Sequence, residues 1–153
     1  MSWIALNEAA SLRYCCAKGS SSAISLPSGG TITTMPLDTW VTCSDSGLYT
    51  FSNGGVRINE AGMYFIGANL YFVSPANAKR GIYLYNGDGK EIHSVLYGAD
   101  GGTPHGPACL APKTMGLSAG TVIYLKGRSE GGSSDGKGYP NNRGTYLTIV
   151  KLA

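Results

Sequence analysis

The chain has 153 residues, 42% of them hydrophobic but only 14% charged, with 23 glycines, 10 tyrosines and a formal net charge of +3. That length suits one domain able to bury about two-thirds of the surface its unfolded chain exposes, so no disulfide or metal staple is required. The basic residues are scattered, with Lys79-Arg80 the one adjacent pair, which excludes the clustered footprint of a nucleic-acid binder, and no run approaches the roughly 18 apolar residues of a membrane helix.

So low a charge content leaves a monomer short of polar cover, and part of the surface is expected to lie against protein. The opening MSWIALNEAASLRYCC lacks a basic start, and Asn7 and Glu8 break its apolar stretch, so it does not read as a secretory signal. Residues 1–30 read as an N-terminal arm: Trp3, Ile4, Leu6 and Leu12 as anchoring side chains, then the Ser/Gly-rich AKGSSSAISLPSGG as a tether. An edge strand of the main domain is the open alternative for this segment.

From Thr31 onward, short β-rich runs alternate with turn signals. Strands are expected near Thr31–Met35, Trp40–Cys43, Leu48–Phe51, Gly55–Ile58, Met63–Val73, Gly81–Tyr85, Ile92–Tyr97, Lys113–Leu117, Thr121–Lys126 and Thr145–Leu152. Asn53-Gly54-Gly55, Glu60-Ala61-Gly62, Asn86-Gly87-Asp88-Gly89 and Ser118-Ala119-Gly120 are the turns between them, because only residues tolerant of positive φ fit tight hairpins. Many short strands with close turns imply an all-β, antiparallel two-sheet sandwich or barrel.

The run Met63–Val73 carries apolar groups in both alternating sets. Tyr64, Ile66, Ala68, Leu70 and Phe72 form one, and Met63, Phe65, Gly67, Asn69 and Tyr71 the other. A strand with one wet face alternates apolar with polar, so either one set lines the core and the other meets a second chain, or both are core. Leu147 and Ile149 opposed by Tyr146, Val150 and Leu152 repeat the pattern. Tyr64, Tyr71, Tyr124 and Tyr146 are the candidate subunit contacts.

Cys15, Cys16, Cys43 and Cys109 show no CxxC and no regular spacing, and they read as free thiols used as small apolar residues ahead of disulfides or a metal site. Gly116-Leu117-Ser118-Ala119-Gly120 matches G-x-S-x-G by letter. The adjoining Thr121–Lys126 is an expected strand rather than a helix, and no histidine lies beyond Ser118, so Ser118 reads as a turn residue and the protein as a non-enzyme. No phosphate loop or zinc spacing occurs, and no cofactor or metal is expected. The loop Gly127–Gly144 carries Arg128, Lys137, Tyr139, Asn141, Asn142 and Arg143, a mixture of cation, aromatic and amide suited to polar recognition if it is a contact surface rather than a flexible tip. Gly98–Pro107, with Asp100 and His105, has a similar character.

The segment GGVRINEAGMYFIGANLYF resembles the strand-turn-strand signature of the tumour necrosis factor and complement-type jelly rolls. LSAGTVIYLKG is similar to that superfamily's Leu-x-x-Gly-Asp-x-Val-x-Leu element, with Thr121 where Asp is usual, and TYLTIVKLA is similar to its closing strand. The resemblance implies a jelly-roll sandwich forming a compact homotrimer with binding loops at one end, in the version nearest to phage structural domains. The expectation is a trimeric head decoration, head fibre or tail-tip module on a virion surface. It would join other virion proteins through the arm and meet a host glycan or protein through its loops. A bacterial surface or spore-coat domain and a soluble cytokine-like ligand are the alternatives.

Overall fold

The computed structural model describes residues 11–98 and 105–153, and among these there are thirteen strands and no helix. In chain order they are β1 (Arg13–Lys18), β2 (Ile24–Leu26), β3 (Thr33–Thr34), β4 (Thr39–Cys43), β5 (Tyr49–Ser52), β6 (Gly55–Ile58), β7 (Gly62–Val73), β8 (Lys79–Asn86), β9 (Glu91–Tyr97), β10 (His105–Leu117), β11 (Val122–Glu130), β12 (Gly136–Gly138) and β13 (Tyr146–Lys151). All pairings are antiparallel and make two sheets. The first runs β4-β1-β13-β7-β10, with β12 following β13 along the same edge of β7 and β2 flanking β12. The second runs β5-β6-β11-β8-β9, with β3 sharing the β6 edge of β11. This is the jelly-roll sandwich that the turn spacing and the resemblance implied.

Local chemistry sets the hairpins. Asn53 and Gly54 both hold positive φ, 50° and 81°, the condition for a two-residue hairpin loop, and they join β5 to β6 in register from Tyr49↔Ile58 to Ser52↔Gly55. At the next turn the Asn86 side-chain oxygen accepts from the backbone N–H of Asp88 and of Lys90, closing β8 onto β9. The core lies between the sheets. Tyr64, Ile66, Leu70 and Phe72 of β7, with Leu147 and Ile149 of β13, face Ile82 and Leu84 of β8, Ile123 and Leu125 of β11 and Val56 and Ile58 of β6, all fully buried. Gly127 of β11 belongs to this inner face because a Cβ there would stand 2.7 Å from Leu70 Cδ2.

In the first thirty residues the arm reading gives way to its alternative, strands of the main domain. Arg13–Lys18 is an interior strand between β13 and β4, placing Cys15 and Ala17 in the core, and Ile24–Leu26 pairs with β12 and buries Leu26. The sandwich therefore begins well before Thr31, and the Ser/Gly stretch joins two strands of the same domain instead of acting as a tether. Of the anchoring residues, Leu12 is exposed, and Trp3, Ile4 and Leu6 lie outside the described residues. Deleting the chain through Ser22 removes β1 and strips the edge of β13; the expected outcome by circular dichroism is loss of the cooperative melt, and a retained melt would return this segment to the role of a tether.

One end of the sandwich is closed by charge. Arg13 of β1 gives Nε to Asp45 at 2.7 Å and both terminal nitrogens to the Glu60 carboxylate at 2.7 Å, while Lys151 Nζ reaches Glu60 at 3.0 Å. The buried Tyr64 hydroxyl donates to the Glu60 carbonyl at 2.7 Å, and the Tyr49 hydroxyl to that of Arg13 at 2.9 Å. Hydrogen bonds from Arg13, then from Lys151, pull the Glu60 carboxyl down to about 2. A depressed folded-state value contributes stability that is complete above the ordinary carboxylate value of about 4.3 and fades as pH falls toward the folded one. Melting of wild type and Glu60→Gln should accordingly differ most above about pH 5 and converge near pH 2; a constant gap would show that the carboxylate charge contributes nothing.

Candidate functional site

Strand alternation gives the β7 sheet a second face pointing away from the core. Register places its residues in rows, because directly paired residues share a face. Tyr14, Val150, Phe65 and Thr114 form one row; Cys16, Thr148 and Gly67 the next; then Tyr146, Asn69 and Cys109; then Tyr71 and Pro107; and finally Lys137, Val73 and His105. Met63 is 43% exposed and Phe65 40%. Single exposed apolar residues are ordinary, but Met63 and Phe65 in a field with half-buried Tyr14, Tyr71, Tyr146 and Val150 make a contiguous apolar patch of the kind that marks an interaction surface.

Two depressions flank Tyr146 on this face. One, of about 240 Å³, is walled by Phe65, Asn69, Cys109, Pro112 and Thr148. It exists because β10 bulges between Leu110 and Lys113 and brings Pro112 over Gly67, where a Cβ would stand 3.0 Å from Pro112 Cγ. The other, of about 340 Å³, lies among Cys16, Lys18, Val41 and Arg143. Between them the Tyr146 hydroxyl accepts from the Asn69 amide at 2.7 Å, which orients both side chains. The free edge of β10 is bonded in its middle from the second sheet: the Tyr97 hydroxyl donates to the Cys109 carbonyl and accepts from the Cys109 N–H, and His93 Nε2 donates to the Ala111 carbonyl at 2.8 Å.

The four candidate contact tyrosines separate. Tyr71 and Tyr146 are on this face. Tyr64 is fully buried in the core, so it meets no second chain, and Tyr124 lies on the outer face of the other sheet, opposite Tyr85. The error at Tyr64 has a simple source: both alternating sets of β7 are aromatic, and composition does not say which faces inward.

The stretch Gly127–Gly144 is less of a loop than its composition implied. β11 continues to Glu130, so Arg128 is a strand residue, bonded to Glu130 at 2.7 Å and to the Tyr83 hydroxyl at 3.4 Å on the second sheet's outer face. Lys137 sits in β12 and shares the end row with His105. Tyr139 packs edge-on against Tyr71, with centroids 5.9 Å apart, and donates its N–H to the Tyr71 carbonyl. Asn142 caps Gly144 N–H at 2.8 Å, Asn141 is exposed, and Arg143 borders the larger depression. Lys137, Tyr139, Arg143 and His105 therefore ring the same face as Tyr71 and Tyr146, and Arg128 stands apart. Asp100 lies outside the described residues.

No group of three or more His, Cys, Asp or Glu that could hold a metal occurs among the described residues. Ser118 lies in an exposed turn between β10 and β11, with its carbonyl accepting from Thr121 N–H, so strands stand on both sides of it and the strand-to-helix geometry of a nucleophile elbow is not formed.

No protein-family model matches this chain, and no curated protein matches it by sequence. Solved structures do match. Murine APRIL at pH 5.0 superposes with a TM-score of 0.70 at 14% identity, over 92% of this chain and 99% of that one. Eiger TNF from S. frugiperda gives 0.63 at 15% identity, over 93% of each chain. At such identities the likeness is one of fold: over 92–93% of its length the chain superposes on the jelly roll of these proteins.

The 139–145 turn is pinned to the face through Thr145, whose buried hydroxyl accepts from Tyr71 N–H at 2.9 Å and donates to the Tyr139 carbonyl at 2.7 Å. Thr145→Val removes both bonds at constant shape and should cost about 1–3 kcal/mol, with faster hydrogen exchange across 139–145. Unchanged exchange there would mean that the turn is held by other contacts.

Proposed function

We propose that this chain is a non-enzymatic binding protein of the tumour-necrosis-factor type, a homotrimer assembled on the outward face of β7, β13 and β10 that presents its remaining surface to a partner on a cell. The observation that carries the reading is the apolar field around Phe65 and Met63, one pleat away from a core row that is already complete. Burying two or three such side chains per subunit contributes about 1.5–3 kcal/mol each, enough to hold subunits together.

A soluble ligand of cytokine-like character fits this reading better than the virion module. Both fold neighbours are named as APRIL and TNF proteins, and the tether that the virion role relied on is built into the sandwich at β1 and β2. Virion proteins as partners and a place on a particle surface rest on the phage-type resemblance of the sequence alone. Lys137, His105 and Arg143, around the rim of the self-association face, are the polar groups best placed to act beside the subunit contact.

Light scattering with sedimentation velocity tests the assembly. Wild type is expected as a three-chain particle at micromolar concentration. Phe65→Asp should weaken association by about a hundredfold or more, whereas Tyr124→Asp on the other sheet should leave it intact. A wild-type monomer, or equal effects of the two variants, would remove the face from this role.

A further inference from the structure

The four cysteines are unbonded thiols, and two of them stand opposite each other. Cys15 of β1 pairs in register with Cys43 of β4, one residue from Tyr14 and Ser44, where the Ser44 N–H donates to the Tyr14 carbonyl at 2.9 Å. In an antiparallel ladder hydrogen-bonded and non-hydrogen-bonded pairs alternate, so Cys15 and Cys43 form a non-hydrogen-bonded pair, the narrow kind with Cα atoms about 4.5 Å apart. That spacing falls within the roughly 4.4–6.8 Å that a disulfide spans, and directly opposed side chains share a face. Cys15 is fully buried and Cys43 packs against the same core, while Cys16 points to the opposite face, where Thr148 donates to its sulfur at 3.8 Å.

We propose that Cys15 and Cys43 are a modification site: a dithiol that closes to a cross-strand disulfide by exchange with a small-molecule disulfide, locking the edge strand β4 onto β1. The half-buried Cys43 reacts first. As thiolate it attacks one sulfur of the small disulfide, the S–S bond breaks, and the departing thiolate takes up the proton that Cys43 released. Cys15 then gives up its proton and attacks the Cys43 sulfur of the mixed disulfide, and the second small thiol leaves carrying that proton. Two protein thiols are oxidised and one small disulfide is reduced to two thiols. Burial pushes the Cys15 thiol up, so Cys15 is the slower partner and acts by proximity within the mixed disulfide.

The consequence is mechanical. β4 is held to the sheet along one edge and carries Val41, 58% exposed, beside the larger depression on the outward face. A bond closing a loop of roughly thirty residues limits the unfolded chain and should raise Tm by about 5–10 °C.

The test incubates the full chain with oxidised or reduced glutathione, blocks residual thiols by alkylation, and follows melting and non-reducing tryptic peptide maps of wild type, Cys16→Ser, Cys15→Ala and Cys43→Ser. Trypsin releases residues 14–18, which hold Cys15 and Cys16, and residues 19–57, which hold Cys43. The expected result is a covalent link between these peptides, with the rise in Tm, in wild type and Cys16→Ser and in neither of the other variants. Should Cys15→Ala fail to fold, the link in Cys16→Ser still assigns the bond, since only Cys15 then remains in its peptide. A link that persists in Cys15→Ala, or no link in Cys16→Ser under oxidation, overturns the proposal.

Discussion

Strand β7 is hydrogen-bonded along both edges, to β10 on one side and to β13 and then β12 on the other. Both of its faces are apolar, and only one can be filled by the second sheet. The pleat sends Tyr64, Ile66, Leu70 and Phe72 inward to complete the core, and turns Met63, Phe65, Tyr71 and Val73 to the outward face, where Met63 and Phe65 are exposed. The jelly roll and the outward apolar face proposed for self-association thus follow from the same twelve-residue strand.

The two ends of that strand are finished differently. At its start, Glu60 gathers Arg13 and Lys151 while the Tyr64 hydroxyl ties the core to the same turn, so β1, β7 and β13 share one charged clasp. At its far end the closure is neutral: Thr145 bridges Tyr71 to Tyr139, and β12 extends the sheet with two buried glycines. Exposed ion pairs are individually weak; the clasp gains from arginine bonded to two carboxylates at once and from the buried hydroxyls behind it.

Such an arrangement suits a protein that acts by presenting surfaces. Its rigid elements, β7 and β13, carry the apolar patch, and the polar residues at the rim come from segments fixed to that sheet by backbone pairing. The Cys15–Cys43 pair lies on the opposite side of the same sheet, facing the core, so that a change in the thiols would act on the edge of the face without touching its contacts.

Elements with alternating β-branched and aromatic residues were legible in the sequence: β5 to β9, β13, and the tight turns of Asn53-Gly54 and Asn86–Gly89, where local backbone chemistry leaves few choices. β1 was not, because RYCCAK lacks a strand-like alternation and its cysteines become core residues only when β13 and β4 lie on either side. β12 reads as loop, since Gly-Lys-Gly has no strand preference. It is a strand because Gly136 and Gly138 fit where a Cβ would stand 2.7 Å from Ser129 Oγ and from Met35 Sδ, with β2 and β7 supplying the ladder. The polar ring was legible as a list of residue types in Lys137, Tyr139, Arg143 and His105, but its assembly around Tyr71 and Tyr146, without Arg128, depends on register between distant strands. The amino-acid pattern by itself determined the fold class, the hairpins and the presence of a surplus apolar row. Only the tertiary structure decided which row faces outward, because inward and outward are defined by the sheet packed on top, and no local preference distinguishes Tyr64 from Tyr71.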